Sequence, residues 1–348
     1  MSNEESDDKV VTHDKEKQQK PSNWSGRAEE PDDAYDVRPG PNEDPEWFPP
    51  KKPDSEHFRT KYSGTVVDLP SWTNERLELE EWEFPDARDY LDSVFLLMGK
   101  RGSGKTHLAK HILKWLSPYI ARAICFTKTG KVNRSWNGFF PPFYIRQHLS
   151  DYIIDAIKKG QEAMSEDRLL NAAARADPWH DPRRTLLLLD DMASDVRLNR
   201  GQEINSIAME GRHFLLPELI TSQYPKAIGT RTRGNPNLVF IYQSNSIDEN
   251  DMLWKMFGFG ISKYQWDQMM VEYVNDVGKC IVVNHSLQSR HYKDQFHYFR
   301  APKEEVKPFR FGWEEYWDEA ERMESRRGEE AEDGGMSAGT RNLIANMM

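Results

Sequence analysis

The sequence predicts an α/β fold, a mostly parallel central sheet flanked by helices. Three observations predict it. Residues 94–106, VFLLMGKRGSGKT, run from a short apolar strand straight into the pattern G-x-x-x-x-G-K-[ST]. Arg184 to Asp191, RTLLLLDD, is a near-continuous apolar run that ends in two carboxylates, as expected of a strand buried on both faces of a parallel sheet. Between them, Leu108, Ile112, Trp115 and Leu116 recur at i, i+4, i+7 and i+8, on one face of a helix.

The first of these stretches carries chemistry. A buried strand delivers the chain to a tight turn at Gly99, Lys100, Arg101, Gly102, Ser103 and Gly104, and the small residues let backbone N–H groups wrap a polyphosphate. Lys105 then places a charge on the β/γ-phosphates, and the Thr106 hydroxyl is placed to ligate Mg²⁺. The following helix would aim its partial positive N-terminus at the same phosphates. An ordinary Gly-rich strand–helix turn has the same shape, but it leaves Lys105 and Thr106 without a reason.

Bulk properties say how much of the 348 residues such a domain occupies. The apolar fraction is 37% and the mean hydropathy −0.82, so part of the chain is expected to stay outside any core. The net charge of −10 is concentrated at the ends, with about 16 acids against 9 bases in residues 1–60 and about 10 against 3 in residues 313–335. The middle is slightly basic, which leaves a polyanionic partner open. Cys125 and Cys280, the only cysteines, fall in apolar runs and are expected as buried free thiols in a reducing compartment. The acidic N-terminus has no secretory pattern and no run approaches a membrane span, so a soluble, intracellular protein without membrane contact is expected.

Taken in order, residues 1–60 are rich in Pro and charge and are expected to be a disordered acidic extension, with Trp24, Trp47 and Phe48 as exceptions. Residues 61–91 read as an entry region with an edge strand at Tyr62–Leu69, and residues 92–302 as the ATPase domain. After a second strand at Ala121–Thr127, Lys128, Lys131 and Arg134 alternate with Trp136, Phe139 and Phe140. Bases among aromatics suit a nucleic-acid-facing loop. The preferred reading is a solvated loop whose aromatics tuck into the domain. Residues 149–175 predict two helices broken near Gly160.

Asp190 and Asp191 close the Arg184–Asp191 strand, at the sheet edge where ligands bind in open α/β sheets. Asp190 stands in the position of the acid that holds Mg²⁺ through water, and Asp191 is placed to polarise the attacking water. The cradle strand and this acid strand are expected to be neighbours. Residues 201–213 read as a helix and Phe214–Gln223 as a strand whose tip, Gln223, is placed to contact the γ-phosphate or the lytic water. Arg231 and Arg233 precede a strand at Leu238–Gln243, and Arg233 is the better candidate for a charge supplied across a subunit interface. Helices over 247–276 and strands at Lys279–Asn284 and Phe296–Arg300 complete the sheet's far edge, followed at 303–348 by a charged helix (Trp313–Arg327) and a flexible tail.

The ordered set of Asp190-Asp191, Arg212-His213 entering a strand, Ser222-Gln223-Tyr224, and Arg233-x-Asn235 before the next strand resembles the poxvirus A32-like genome-packaging ATPases of large DNA viruses, within the FtsK–HerA superfamily. The resemblance runs from about Ser93 to Gln243. It implies nucleotide binding at Gly99–Thr106, Mg²⁺ at Thr106 and Asp190, water activation at Asp191 and a sensor role for Gln223. Many superfamily members carry Glu where this chain has Asp191. The expected function is an ATP-driven motor that moves double-stranded viral DNA into a capsid, working as a ring, a hexamer by analogy, with ATP and Mg²⁺ as cofactors. Capsid or portal proteins are the further partners, at viral assembly sites in host cytoplasm or nucleus or in the virion. A P-loop nucleotide kinase and a nucleotide-switched DNA-binding or segregation factor are the rival readings.

Overall fold

The computed structural model describes residues 59–62, 65–68, 76–128, 134–192, 201–244, 246–287, 289 and 291–332, with the unit containing the motifs starting at Glu56. The expectations for residues 1–58, for Lys131 and for the tail from 333 onward lie outside these residues. Arg59–Tyr62 (β1) and Thr65–Asp68 (β2) pair as an antiparallel two-stranded sheet, where the sequence reading had one edge strand.

Among the described residues the main sheet has nine strands. In chain order they are β3 (Glu80–Glu81), β4 (Val94–Met98), β5 (Arg122–Thr127), β6 (Ile145–Arg146), β7 (Thr185–Asp190), β8 (Glu218–Ser222), β9 (Leu238–Ile241), β10 (Lys279–Asn284) and β11 (Phe296–Arg300). In space the order is β3-β11-β10-β9-β4-β8-β7-β5-β6. The six strands from β9 to β6 are parallel, β10 runs against both β9 and β11, and β3 runs parallel to β11. This is the α/β P-loop NTPase architecture, a mostly parallel sheet with helices.

Parallel strands covered on both faces read as near-continuous apolar runs, as β4 does throughout and β7 does from Leu186 to Leu189. Side chains alternate between the faces. Leu96, Met98, Leu187 and Leu189 join one core, while Phe95, Leu97, Leu186 and Leu188 join the other. Helix α1 (Lys105–Leu116) closes the second core with Leu108, Ile112 and Leu116, and its Trp115 donates from Nε1 to Pro85 O at 2.9 Å. Cys125 and Cys280 are buried and free.

Several expectations need correction. The cradle strand β4 and the acid strand β7 are not neighbours, because β8 lies between them and pairs with both. The break between the helices Asp151–Glu166 (α2) and Arg168–Ala176 (α3) falls at Asp167, not near Gly160, because Asp167 accepts from Leu169 N and Leu170 N and caps α3. Phe214 is not in a strand: a 3₁₀ turn covers Gly211–Phe214 and β8 begins at Glu218. The region before Asp92 contributes β3 and the buried Leu77, Leu79 and Trp82. The acidic helix is real and longer, Glu314–Glu332, and it docks: Tyr316, Ala320 and Met323 are buried, and Tyr316 Oη donates to Ala123 O at 2.6 Å.

Candidate nucleotide site

The cradle is built at the C-terminal edge of the sheet, between the ends of β8 and β9. Gly99 N donates to Ser222 O, the last residue of β8, and Lys100 N to Gln243 O, just beyond β9, so both neighbouring strands pin the start of the loop. Gly99 has to be glycine, since a Cβ there would sit 2.4 Å from Tyr242 Cβ. Gly102 and Gly104 take φ of +77° and +105°, a region open to glycine at no steric cost. Gly278 N donates to Ser103 O from the β10 side.

Lys105 is buried and folds its Nζ back onto Gly99 O at 2.6 Å and Lys100 O at 2.8 Å. Burial lowers its pKa, and the charges of Asp191 and Asp190 act against that shift, so both acids share one electrostatic environment with the lysine. The Ser103 hydroxyl is buried without a hydrogen-bond partner. A polar group orphaned inside a loop of this kind is what a phosphate oxygen would satisfy. Thr106 is half-buried in the first turn of α1.

Asp190 closes β7 at 5% exposure. Its Oδ1 accepts from Thr221 Oγ1 and its Oδ2 from Trp136 Nε1, both at 2.8 Å. Burial raises its pKa, and these two hydrogen bonds oppose the rise by favouring the ionised form. Asp191 follows in the left-handed region at φ +50°, a conformation Asp tolerates better than most residues, at a cost on the order of 1 kcal/mol. Its N–H donates to Thr221 Oγ1 at 3.0 Å. Gln223, one residue past β8, donates from Nε2 to Asp191 Oδ2 at 2.6 Å.

The geometry therefore brings together Gly99, Lys100, Arg101, Gly102, Ser103, Gly104, Lys105, Thr106, Asp190, Asp191 and Gln223 at one sheet edge. It does not bring Arg233 to them. Arg233 lies in the helix Thr230–Gly234, and its guanidinium bonds are local, to Ile228 O and Thr230 Oγ1. Shortly after it, Asn237 pairs with Val94, at the end of β4 away from the loop.

Sequence reasoning missed two participants, Thr221 and the role of Trp136. Thr221 serves both acids, and the only advance signal was a hydroxyl near a strand tip. Trp136, Phe139 and Phe140 are all buried, so the tucked-in reading of that loop holds for its aromatics. A buried indole N–H needs an acceptor, which was the available signal for Trp136.

No family model matches the chain. It is similar to proteins of large DNA viruses: uncharacterized protein 015R of Frog virus 3 (isolate Goorha), 23% identical over 251 residues, covers 70% of this chain and 74% of the relative. Uncharacterized protein 075L of Invertebrate iridescent virus 6 is 23% identical over 225 residues, 64% of this chain and 83% of the relative. Among solved structures, the genome packaging NTPase B204 from Sulfolobus turreted icosahedral virus 2 in complex with AMPPCP matches at a TM-score of 0.40 and 13% identity, covering 61% of this chain and all of that one. EssC (ATPases 2 and 3) from Geobacillus thermodenitrificans matches at 0.42 and 14%, covering 69% and 45%. Among the described residues no helix is long and apolar enough to cross a membrane. The viral relatives fit the A32-like packaging ATPases that this chain resembles through Asp190-Asp191, Ser222-Gln223 and Arg233-x-Asn235.

Proposed function

We propose that the protein is an ATP-hydrolysing motor that packages double-stranded viral DNA into a capsid. The observation that carries the hydrolytic half is the Gln223–Asp191 hydrogen bond, which joins a polar strand tip to the acid beside Asp190 while Asp190 and Asp191 both act on Lys105. The DNA half rests on the resemblance to the A32-like packaging ATPases carried by Asp190-Asp191, Ser222-Gln223 and Arg233-x-Asn235, and relatives from large DNA viruses are in keeping with it.

The residues suit a triphosphate with Mg²⁺. Ser103 offers a buried, unpartnered hydroxyl to a phosphate oxygen. Thr106 is a hard oxygen donor of the kind magnesium takes alongside phosphate oxygens, and Asp190 would hold the ion through its water; these are the residues that would hold it. Bound there, the ion would neutralise charge on the phosphates. Among the described residues no cluster of three or more His, Cys, Asp or Glu forms a metal cage of its own.

In this reading Lys105 leaves the loop carbonyls for the γ-phosphate. Asp191 accepts a proton from the attacking water as its oxygen bonds to the γ-phosphorus, and the bond to the ADP oxygen breaks. Gln223 orients Asp191 and registers whether a γ-phosphate is present. Arg233, remote from its own chain's cradle, is read as facing a neighbouring subunit's nucleotide in a ring. Duplex DNA would be gripped through its phosphates without base readout.

The test is ATPase rate with and without long duplex DNA. Stimulation supports a DNA-coupled ATPase. Equal rates, together with phosphoryl transfer to a nucleoside or nucleotide acceptor, would favour the kinase reading instead.

A further inference from the structure

We propose that Trp136 is a positioning residue for Asp190, fixing the direction of the carboxylate that reaches toward the metal. This rests on the reading of Asp190 as a magnesium-site residue.

The two residues are 54 positions apart, and their contact is a buried hydrogen bond of 2.8 Å from the indole Nε1 to Oδ2. Trp136 is only 2% exposed, so its N–H has no recourse to water. A bulky apolar side chain would fill this space without needing Asp190; the N–H is what makes tryptophan specific here. The indole cannot readily follow the carboxylate if it moves. Phe139 and Phe140 hold it with ring centroids at 6.1 and 6.0 Å. Their loop is tied in turn to the segment before the last helix, since Phe311 N donates to Phe139 O at 3.0 Å and a Cβ on Gly138 would meet Pro308 Cβ at 2.9 Å.

Thr221 does the same for Oδ1 from the neighbouring strand. The carboxylate is thus clamped at both oxygens by two donors on different elements, in a fixed plane. Each oxygen keeps a second lone pair for a metal-bound water, because an ionised carboxylate offers about four acceptor directions. Partners that orient a metal's direct ligands are typically worth about 10–100-fold in metal affinity. Asp190 acts through a metal-bound water, one step further out, so losing the indole N–H should cost the lower end of that range, about tenfold.

The experiment measures Mn²⁺ binding to the full chain saturated with ATPγS, by the electron paramagnetic resonance of free Mn²⁺, in wild type and Trp136→Phe. ATPγS affinity in EDTA is measured beside it. The expected result is a Mn²⁺ concentration at half-saturation raised about tenfold with ATPγS affinity in EDTA unchanged. Phe139→Leu, which loosens the packing that holds the indole and keeps the N–H, should raise the half-saturating Mn²⁺ concentration less than Trp136→Phe does; an equal or larger rise would assign the effect to packing and overturn the role of the N–H. Should Trp136→Phe fail to fold, β-(3-benzothienyl)alanine at position 136, with sulfur in place of the N–H, gives the same readout at unchanged shape. Wild-type Mn²⁺ affinity in either folded variant would overturn the positioning role while leaving the ATPase reading intact. A wild type whose ATPγS complex binds no Mn²⁺ would overturn both.

Discussion

Gln223 Nε2 and Asp191 Oδ2 are 2.6 Å apart, one at the end of β8 and the other at the end of β7. The amide holds the carboxylate from the strand that also flanks the cradle, so the position of the acid depends on the same strand as the phosphate loop. Asp191→Asn should keep ATP binding and lower kcat about 10²–10⁴-fold, the usual worth of a general base. Gln223→Ala should leave affinity within a few-fold and lower kcat by a smaller factor, because the acid remains but loses its orienting partner. Single-turnover rates and nucleotide titrations measure both; an unchanged kcat in Asp191→Asn would move the base elsewhere.

Lys105→Ala should abolish ATP turnover, by at least about hundredfold, since a preorganised charge aimed at the transferred group is removed. The folded core should survive: Lys105 makes its hydrogen bonds to Gly99 O and Lys100 O, not to the sheet. ATPase rate and a thermal melt read the two halves separately. Normal turnover would refute the cradle assignment.

The sequence made most of this site legible and misread its layout. The cradle, Asp190, Asp191 and Gln223 are carried by local patterns: an apolar strand followed by a fixed run of small residues, lysine and threonine, and two strands with polar tips. Which strands lie side by side is a non-local property, and nothing in the apolar runs of β4, β7 or β8 says that β8 separates the other two. In the sequence Trp136 stands among basic residues, while its partner lies 54 residues on and only the fold brings them together. Helix ends were missed for a related reason. Gly160 looks like a breaker, but a buried glycine within α2 is tolerated, and the side chain of Asp167 decides where α3 starts.

Arg233 offers a prediction about assembly. Its hydrogen bonds are to its own turn, so a catalytic role requires a second copy. Arg233→Ala alone should lose activity, and mixing it with Asp191→Asn subunits should restore part, since some interfaces then pair an intact arginine with an intact acid. Absence of rescue at every mixing ratio would remove the trans role.

Glu218, at the start of β8, is fully buried with neither carboxylate oxygen hydrogen-bonded, and burial pushes its pKa from 4.5 up to about 8. Below about pH 4.5 the group is protonated folded and unfolded, and its contribution is fully present. As pH rises toward about 8 the unfolded chain releases the proton and the folded chain keeps it, so stability falls, by on the order of 5 kcal/mol across the window. Glu218→Gln should flatten that part of the profile. Urea unfolding of both proteins at pH 5.5 and pH 8 measures the difference, and identical slopes would contradict the account.

The central claim is that hydrolysis at this cradle drives movement along DNA. Displacement of a triplex-forming strand from long duplex DNA tests it most directly. The account predicts displacement by the full chain with ATP, and none with ATPγS or in Lys105→Ala. DNA-stimulated hydrolysis without displacement would contradict it, and would leave a nucleotide-switched DNA-binding protein in place of a motor.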